Sequence, residues 1–538
     1  MAAAKPNAPD PKTPEARHQA LSPNRATSTN YGQILKSSAW IAGSSAIVVA
    51  IGIVRTKTIA ILLGPAGFGL MALYSSILDL ALSLASMGVG NSGVRQIAES
   101  AASGDTDRVA TTAAVLRRLA YLLGIVGAAV VAFFASRISL VTFGDEEHRV
   151  AIMVLALAVL VRLIGIGQGA LLQGLRRIRE LAAANVLGAA LGAAVTVAVV
   201  YAWRTDGVAP SIALSAVVGL CVSWWYVRRL KIQRPDVART ELLSEGTALI
   251  KLGGAFMASS LVMMGSNYFA RSMLVQTEGL EAAGLYQAAW AVAGVYVGFV
   301  LQAMGADFYP RLVGVIGDAA ESNRVVNEQA HVSLLLAGPG VIATIIAAPL
   351  IVSLFYTATF TPAVEVLRWL CLGVALRVVT WPMGYIIVAQ NNRRVFVAAE
   401  LAWGVFNVGA TWLCLQKFGL NGAGIAFFAS YVFHGILVYP IVRRLNGFRW
   451  SWQNLKAGGI YVAIVGATFG STLALHGTQL LICGTLLFIA SSTYSTVQML
   501  HLTETALVPA PVKRKLERLA QSWERLTAWH RKAGKGQM

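Results

Sequence analysis

Five cations sit inside long apolar stretches of this 538-residue chain: Arg55, Lys57, Arg162, Arg271 and Arg377. Fewer acids share that setting: Asp79, Glu400, and Asp307 nearer an edge. A charge held deep in hydrocarbon costs about 2.5–3.5 kcal/mol, so each must find a partner or water. An excess of embedded positive charge suits a polyanionic ligand. The guanidinium fork holds phosphate bidentately and stays charged, while Lys57 offers a compact point charge. The chemistry this pattern supports is therefore anion recognition rather than bond making. A plainer reading exists for one pair. Arg55 lies eight residues before Leu63 and Asp79 eleven past Phe68, depths of about 12 and 16 Å at ~1.5 Å per residue. The two can meet in a salt bridge that closes the hairpin, and Asp79 would then gate or carry a coupling ion. Lys57 has no acid at matching depth on the neighbouring span. Glu400 reads first as a structural pair for Arg393 or Arg394, and second as an ion-coupling group.

Other chemistries find no residues to carry them. Cys221, Cys371, Cys414 and Cys483 are scattered, with neither metal-ligand spacing nor a disulfide framework. No His/acid cluster, phosphate-cradling glycine loop or nucleophile elbow is present. No catalytic residue, metal or cofactor is expected, and without a nucleotide-binding motif direct ATP use is not expected either. Asp145, Glu146, Glu147 and His148 read as a solvated loop. His434 reads as a packing residue.

The elements that must position these charges are membrane helices. The composition is 56% hydrophobic and 13% charged, where soluble domains carry about 25% charged residues. Apolar runs near the 20-residue spanning length recur at 38–63, 67–97, 113–135, 150–173, 181–203, 208–228, 249–276, 283–309, 332–355, 366–389, 396–416, 422–442, 457–476 and 479–500. The expected class is an all-α polytopic membrane protein of about fourteen transmembrane helices. Its net charge of +19 resides in loops and tails, which orients the chain rather than binding nucleic acid. Arg117/Arg118, Arg176/Arg177, Arg228/Arg229, Arg393/Arg394 and Arg443/Arg444 fall on one side. That bias puts both termini in the cytoplasm.

An internal repeat organises the spans. Gln173-Gly-Leu-Arg176-Arg177 parallels Gln390-Asn-Asn-Arg393-Arg394 near an offset of 215, and Arg162/Arg377 and Asn185/Glu400 share it. Six spans per unit is even, so the copies run in the same sense, related by an axis along the membrane normal. Two pseudo-symmetric six-helix lobes plus two extra C-terminal helices are expected, with a cavity between the lobes. The divisions are a cytoplasmic tail 1–37, an N-lobe 38–230, a C-lobe 231–445, extra spans 446–500, and a basic tail 501–538. The last has apolar residues at helical spacing, as in a helix lying on an anionic leaflet. Gly188 and Gly192 predict close packing of the fifth span. Pro339, Pro349, Pro382 and Pro440 fall within spans.

The stretch Arg55-Thr-Lys57-Thr-Ile-Ala-Ile-Leu-Leu-Gly64-Pro65-Ala-Gly67-Phe-Gly69-Leu70 resembles the first hairpin of the polysaccharide transporter family. That family includes the O-antigen and enterobacterial common antigen flippases, within the multidrug/oligosaccharidyl-lipid/polysaccharide exporter superfamily. Leu172-Gln173-Gly174 and Gly422-Ala-Gly424 are similar to later family elements. The family pattern has about twelve spans, so the extra two depart from it. The resemblance implies a flippase carrying undecaprenyl-pyrophosphate-linked oligosaccharide from the cytoplasmic to the periplasmic leaflet of a bacterial inner membrane, for surface polysaccharide. The five cations would engage the diphosphate. Membrane lipid surrounds the protein, and a polysaccharide polymerase is the candidate protein partner. The rival readings are a cation-coupled multidrug exporter of the same superfamily, which would favour embedded acids, and a membrane glycan polymerase or ligase, which would need a larger outer loop.

Overall fold

The computed structural model describes residues 23–230 and 239–502. Among these every regular element is helical: α1 Pro23–Ser86, α2 Val89–Ala102, α3 Thr106–Phe133, α4 Ala135–Phe143, α5 Arg149–Gly174, α6 Ile178–Trp203, α7 Val208–Arg228, α8 Arg239–Val315, α9 Ala319–Phe355, α10 Ala363–Ala389, α11 Arg393–Phe418, α12 Leu420–Asn446, α13 Trp452–Ala474 and α14 Gly477–Leu502, with two short 3-10 turns. The amphipathic helix expected over 501–538 lies outside the described residues, apart from its first two positions. So does most of the tail 1–37.

Two of these helices are each two passes joined at a break. Gly64 stands at φ 64°, ψ −172°, and Gly279 at φ 87°, ψ 175°, conformations open to glycine and strained for other residues. The residue after the first break is Pro65, whose fixed φ and missing N–H suit the first turn of a new helix. The break frees the Leu62 carbonyl, which accepts from Arg204 Nη1 at 3.3 Å. With α1 and α8 counted twice, and the short α2 and α4 set aside, the described residues make fourteen passes.

The second pass is shorter than the sequence pattern suggests. It ends at Ser86 rather than near residue 97, because Met87 and Gly88 both take positive φ, 46° and 71°. The next helix, α2, buries Val89, Ser92, Gly93 and Ile97 and turns Arg95 and Glu99 outward. It is a short amphipathic helix, not a continuation of the span.

The repeat is written into the backbone. Gly64 and Gly279, Arg176 (φ 54°) and Asn391 (φ 54°), and Arg204 (φ 50°) and Gly419 (φ 55°) are the same three special conformations at one constant offset. One apolar core joins the second pass of α1 to α3, α5 and α7, through Leu78, Ile152, Val159 and Val208. A second joins α8, α9, α10 and α12, through Leu274, Ile342, Leu367 and Phe427. Each core lies mainly in one lobe, and each reaches across: the second takes in Ile59, Phe68, Leu73 and Val200, and the first takes in Tyr268. Helices α13 and α14 dock on α9 of the second lobe: Tyr461 fills the space above Gly338, and Ile346 that above Gly484. Asn454 joins them by bonding Asn327 and His331 at 2.8–2.9 Å. In the first lobe Gly188 and Gly192 of α6 lie against Gly219 and Ser215 of α7, the close packing expected there. Pro339 and Pro349 lie inside α9, Pro382 inside α10 and Pro440 inside α12, and each of these helices runs on through its prolines without a non-helical break.

The lobes meet in a symmetric crossing just past the two breaks. A Cβ placed on Gly69 would land on the Leu280 carbonyl, and one on Gly284 on the Pro65 carbonyl. Both partners are backbone and cannot swing aside. Phe68 seals the crossing by packing edge-on against Tyr356 and Phe360, with ring centroids 5.7 and 5.8 Å away.

Substituting either crossing glycine tests this arrangement. Gly69→Val or Gly284→Val should force the helices apart and cost about 1–3 kcal/mol or more, the usual penalty of overpacking. The readout is a lower thermal midpoint and less protein in the membrane. Gly409→Ala, which meets open space, should leave both unchanged.

Candidate functional site

Past the crossing, one acid and two cations meet at the seam between the lobes, and a third cation stands close by in the first lobe. Asp79, in the second pass of α1, faces α5. Its Oδ1 lies 3.4 Å from Arg162 Nη1, and both side chains are about half exposed. An ion pair that open to water is worth only about 0.2–1 kcal/mol. Arg271 reaches Asp79's helix from the other lobe. Its Nη1 donates to Ser76 Oγ at 2.5 Å, three residues before Asp79, and Asp79's charge attracts it. Arg271 Nε is buried and finds no acceptor among the described residues.

Arg55 completes the group but does not bond Asp79. It lines a cleft of about 790 Å³ between the first pass of α1 and α6, beside Val54, Thr58, Ala194 and Tyr201. It is close enough to Arg162 for the two charges to repel. The salt bridge expected from matched depth is therefore replaced by Arg162–Asp79. Depth along a helix came from residue counting, but the direction around its axis did not. Three guanidinium groups and one carboxylate share this region, leaving two positive charges uncompensated. That arrangement can hold a dianion or a diphosphate, each phosphate taking charge-assisted bonds.

Lys57 and Arg377 lie elsewhere. Lys57 Nζ donates to the Leu354 carbonyl at 2.6 Å. That carbonyl belongs to the last turn of α9, where C=O groups lack helical partners and carry the negative end of the helix dipole. A backbone oxygen supplies the partner that the sequence offered among acids. The contact has a counterpart in the other lobe. Ser272, 215 residues on, donates to Val141 O at 2.9 Å at the end of α4, and Gln276 Nε2 reaches the same oxygen at 2.5 Å. Each lobe's first pass thus bonds a carbonyl of its partner at the end of the bundle where Gly64 and Gly279 lie.

Arg377 sits within the second lobe. It lines a small cavity with Asn267, Trp403, Asn407 and Tyr431, and its guanidinium carbon lies 6.0 and 5.9 Å from the Trp381 and Tyr431 rings. Glu400, expected to pair with Arg393 or Arg394, makes no ion pair among the described residues. The charge it feels is that of Arg377. Arg393 instead turns its Nε to Asn391 Oδ1 at 3.4 Å. His434 packs near Tyr431 with Nδ1 unpartnered among the described residues. In the loop read as solvated, Glu146 and Glu147 are exposed. His148 is not: it stacks 3.9 Å from the Phe143 ring, and its Nδ1 shares a 2.8 Å bond with the Tyr74 hydroxyl.

Two partners escaped the sequence pattern, Ser76 and the Leu354 carbonyl. Ser76 shares a helix face with Asp79, which was a usable signal. A main-chain oxygen leaves none.

Fold and site together define a two-lobed polytopic membrane protein with a cationic seam. The model of a family described as polysaccharide biosynthesis protein matches residues 34–315, and the chain belongs to that family. The Lipid III flippases of Escherichia coli (strain K12) and Shigella flexneri are each 24% identical to it over 417 residues, 74% of this chain and 95% of theirs. Among solved structures, an inward-facing multidrug resistance MATE family transporter of the MOP superfamily superposes with TM-score 0.63 at 16% identity, over 73% of this chain and 94% of that one. An outward-facing one gives 0.56 at 16% identity, over 77% and 95%. A MOP superfamily transporter from Pyrococcus furiosus also gives 0.56 at 16%, over 77% and 96%. The fold is thus the two-lobed fold of that superfamily.

A double-mutant cycle of Asp79→Asn and Arg162→Gln, read by thermal unfolding, should return a coupling below about 1 kcal/mol, as for an exposed pair. A coupling of several kcal/mol would mean a closed structural bridge with no room for a ligand. Arg271→Ala should cost more than either single change, since it vacates a buried position bonded across the seam.

Proposed function

We propose that this protein is a flippase for undecaprenyl-pyrophosphate-linked oligosaccharide, moving the repeat unit from the cytoplasmic to the periplasmic leaflet for surface polysaccharide assembly. The observation that carries the reading is the Arg55–Arg162–Arg271 cluster around a single carboxylate. A diphosphate linked to a sugar has the charge this seam leaves unbalanced. The family, and the flippase activity named for the two relatives, support the same substrate class. The fold is shared with multidrug exporters. An organic cation, however, would be repelled by this seam.

In this reading Arg55 and Arg162 take the diphosphate from the first lobe and Arg271 from the second. Asp79 holds Arg162 until the ligand displaces it. Parting the lobes at the Gly64 end breaks the bond from Lys57 to Leu354, and the freed ammonium then meets the departing headgroup. Glu400, which feels the charge of Arg377 without bonding it, is the ion-coupling candidate inside the second lobe. The membrane potential is a sufficient drive, since one charge moved against 100 mV is worth about 2.3 kcal/mol. The protein acts without catalysing bond cleavage.

The orientation belongs to the same reading. Trp40 lies 5.7 Å from Arg179, Trp224 5.3 Å from Arg228, and Trp225 3.5 Å from Arg229. Such aromatic and basic pairs mark a bilayer interface, and the basic loops there favour the cytoplasmic side of the inner membrane. Both termini, the tail 1–37 and the tail 501–538 then lie in the cytoplasm. The two lobes divide near residues 230 and 445, and residues 446–500 form the appendage. A polysaccharide polymerase is the protein partner that fits this reading.

The test is translocation of a labelled polyprenyl-diphosphate oligosaccharide in proteoliposomes, with surface glycan scored in cells at matched protein levels. Arg55→Gln, Arg162→Gln and Arg271→Gln should each reduce transport about tenfold or more, the value of one lost charged hydrogen bond. Full transport by all three would remove the seam from the mechanism.

A further inference from the structure

The first lobe holds a second basic cavity, away from the seam. It is a cleft of about 740 Å³ with α5 as its floor and α3 and α7 as its walls. The floor residues are Ile164, Gly167, Gln168 and Leu171. At about 100° per residue this stripe lies on the opposite side of α5 from Arg162, the residue that meets Asp79. The cleft and the cationic seam therefore occupy opposite faces of one helix.

Its chemistry is that of an interfacial lipid site. Arg117 and Tyr121 project from α3, and Trp224 and Arg228 from the last turn of α7; all four are exposed. Arg117 stands eleven residues into its helix, about 16 Å from the start. Among the described residues it makes no ion pair, nor does Arg228, whose guanidinium carbon lies 5.3 Å from the Trp224 ring. Past Tyr121, α3 presents Leu122, Ile125 and Val126 outward, 55–58% exposed, as a helix facing acyl chains does. Two guanidinium groups without a carboxylate partner thus border an apolar surface at the level of the Trp224–Arg229 belt. A basic pocket between membrane helices on the cytoplasmic side fits an anionic lipid headgroup, and the cleft volume lies within the range of small-molecule sites, about 300–1,000 Å³.

We propose that this cleft binds an anionic glycerophospholipid of the cytoplasmic leaflet. Arg117 and Arg228 hold its phosphate, and the first acyl carbons lie along Tyr121. The assignment to that leaflet rests on the orientation given above. Binding is read without transport, so the two readings fail separately.

A phosphate-bearing lipid could be either a bilayer phospholipid or the polyprenyl diphosphate substrate, and the experiment distinguishes them. The full-length protein, delipidated in detergent, is titrated with phosphatidylglycerol or phosphatidylcholine, and bound lipid is counted by native mass spectrometry. Phosphatidylglycerol should bind preferentially. Each arginine removed should weaken that preference about fivefold, as a charge near an anionic surface contributes. Arg117→Gln/Arg228→Gln should therefore lose most of it, Arg117→Lys/Arg228→Lys should keep it, and Arg162→Gln should leave it unchanged. An unlabelled short-chain polyprenyl diphosphate should not displace phosphatidylglycerol from this cleft. Equal binding of the two phospholipids by the wild-type protein would overturn the proposal whether or not the variants fold. Displacement by the diphosphate, or loss of the preference in Arg162→Gln, would reassign the bound lipid to the substrate path.

Discussion

The backbone crossing of Gly69 with Leu280 and of Gly284 with Pro65 is the contact on which the rest of this molecule depends. It arises because each lobe begins with a helix that breaks at a glycine and restarts at once. The restarted passes approach so closely that a methyl group at either position would occupy a carbonyl oxygen. Hydrocarbon gives helices no hydrophobic reason to associate, so close van der Waals packing through small residues must hold them. Once this crossing is set, so is the position of Asp79 relative to Arg271 and Ser76, since all three lie within a few turns of it.

The scaffold is symmetric and the charges on it are not. Arg162 and Arg377 are equivalent by the repeat, yet only the first meets an acid from the second pass of its lobe. The position equivalent to Asp79 is Gly294, and the position equivalent to Glu400 is Asn185. Each lobe therefore keeps one embedded Arg–acid association, built from different helices. In the first lobe the association opens on the seam between lobes, with Arg55 beside it. In the second it is enclosed among Trp381, Trp403 and Tyr431. The duplicated fold thus carries one such association at the seam and one in the interior of the second lobe.

Embedded charge here is satisfied in two ways and in part left open. Asp79 and Arg162 pair while half exposed, so water carries much of the cost. Lys57 takes a helix-end carbonyl, which is unpaired in any helix and carries partial negative charge. Arg55 and the Nε atoms of Arg271 and Arg377 find no acceptor among the described residues, and of these Arg55 and Arg271 lie in the region of Asp79. A group that the fold itself has already paired offers less to a substrate than one it has left open. By that measure the cations of the proposed site at the seam are more available than Lys57.

The sequence by itself determined the helical passes, the repeat and its offset, and which residues are charged within the membrane, because length, apolar periodicity and glycine placement act along the chain. It missed where the second pass ends, since two positive-φ residues at 87 and 88 carry no hydropathy signal. Only the tertiary structure decided which charges meet. Depth along a helix can be counted from sequence, but azimuth depends on how neighbouring helices pack. That is why Asp79 joined Arg162 rather than Arg55, and why Lys57 found a carbonyl that no residue type announces.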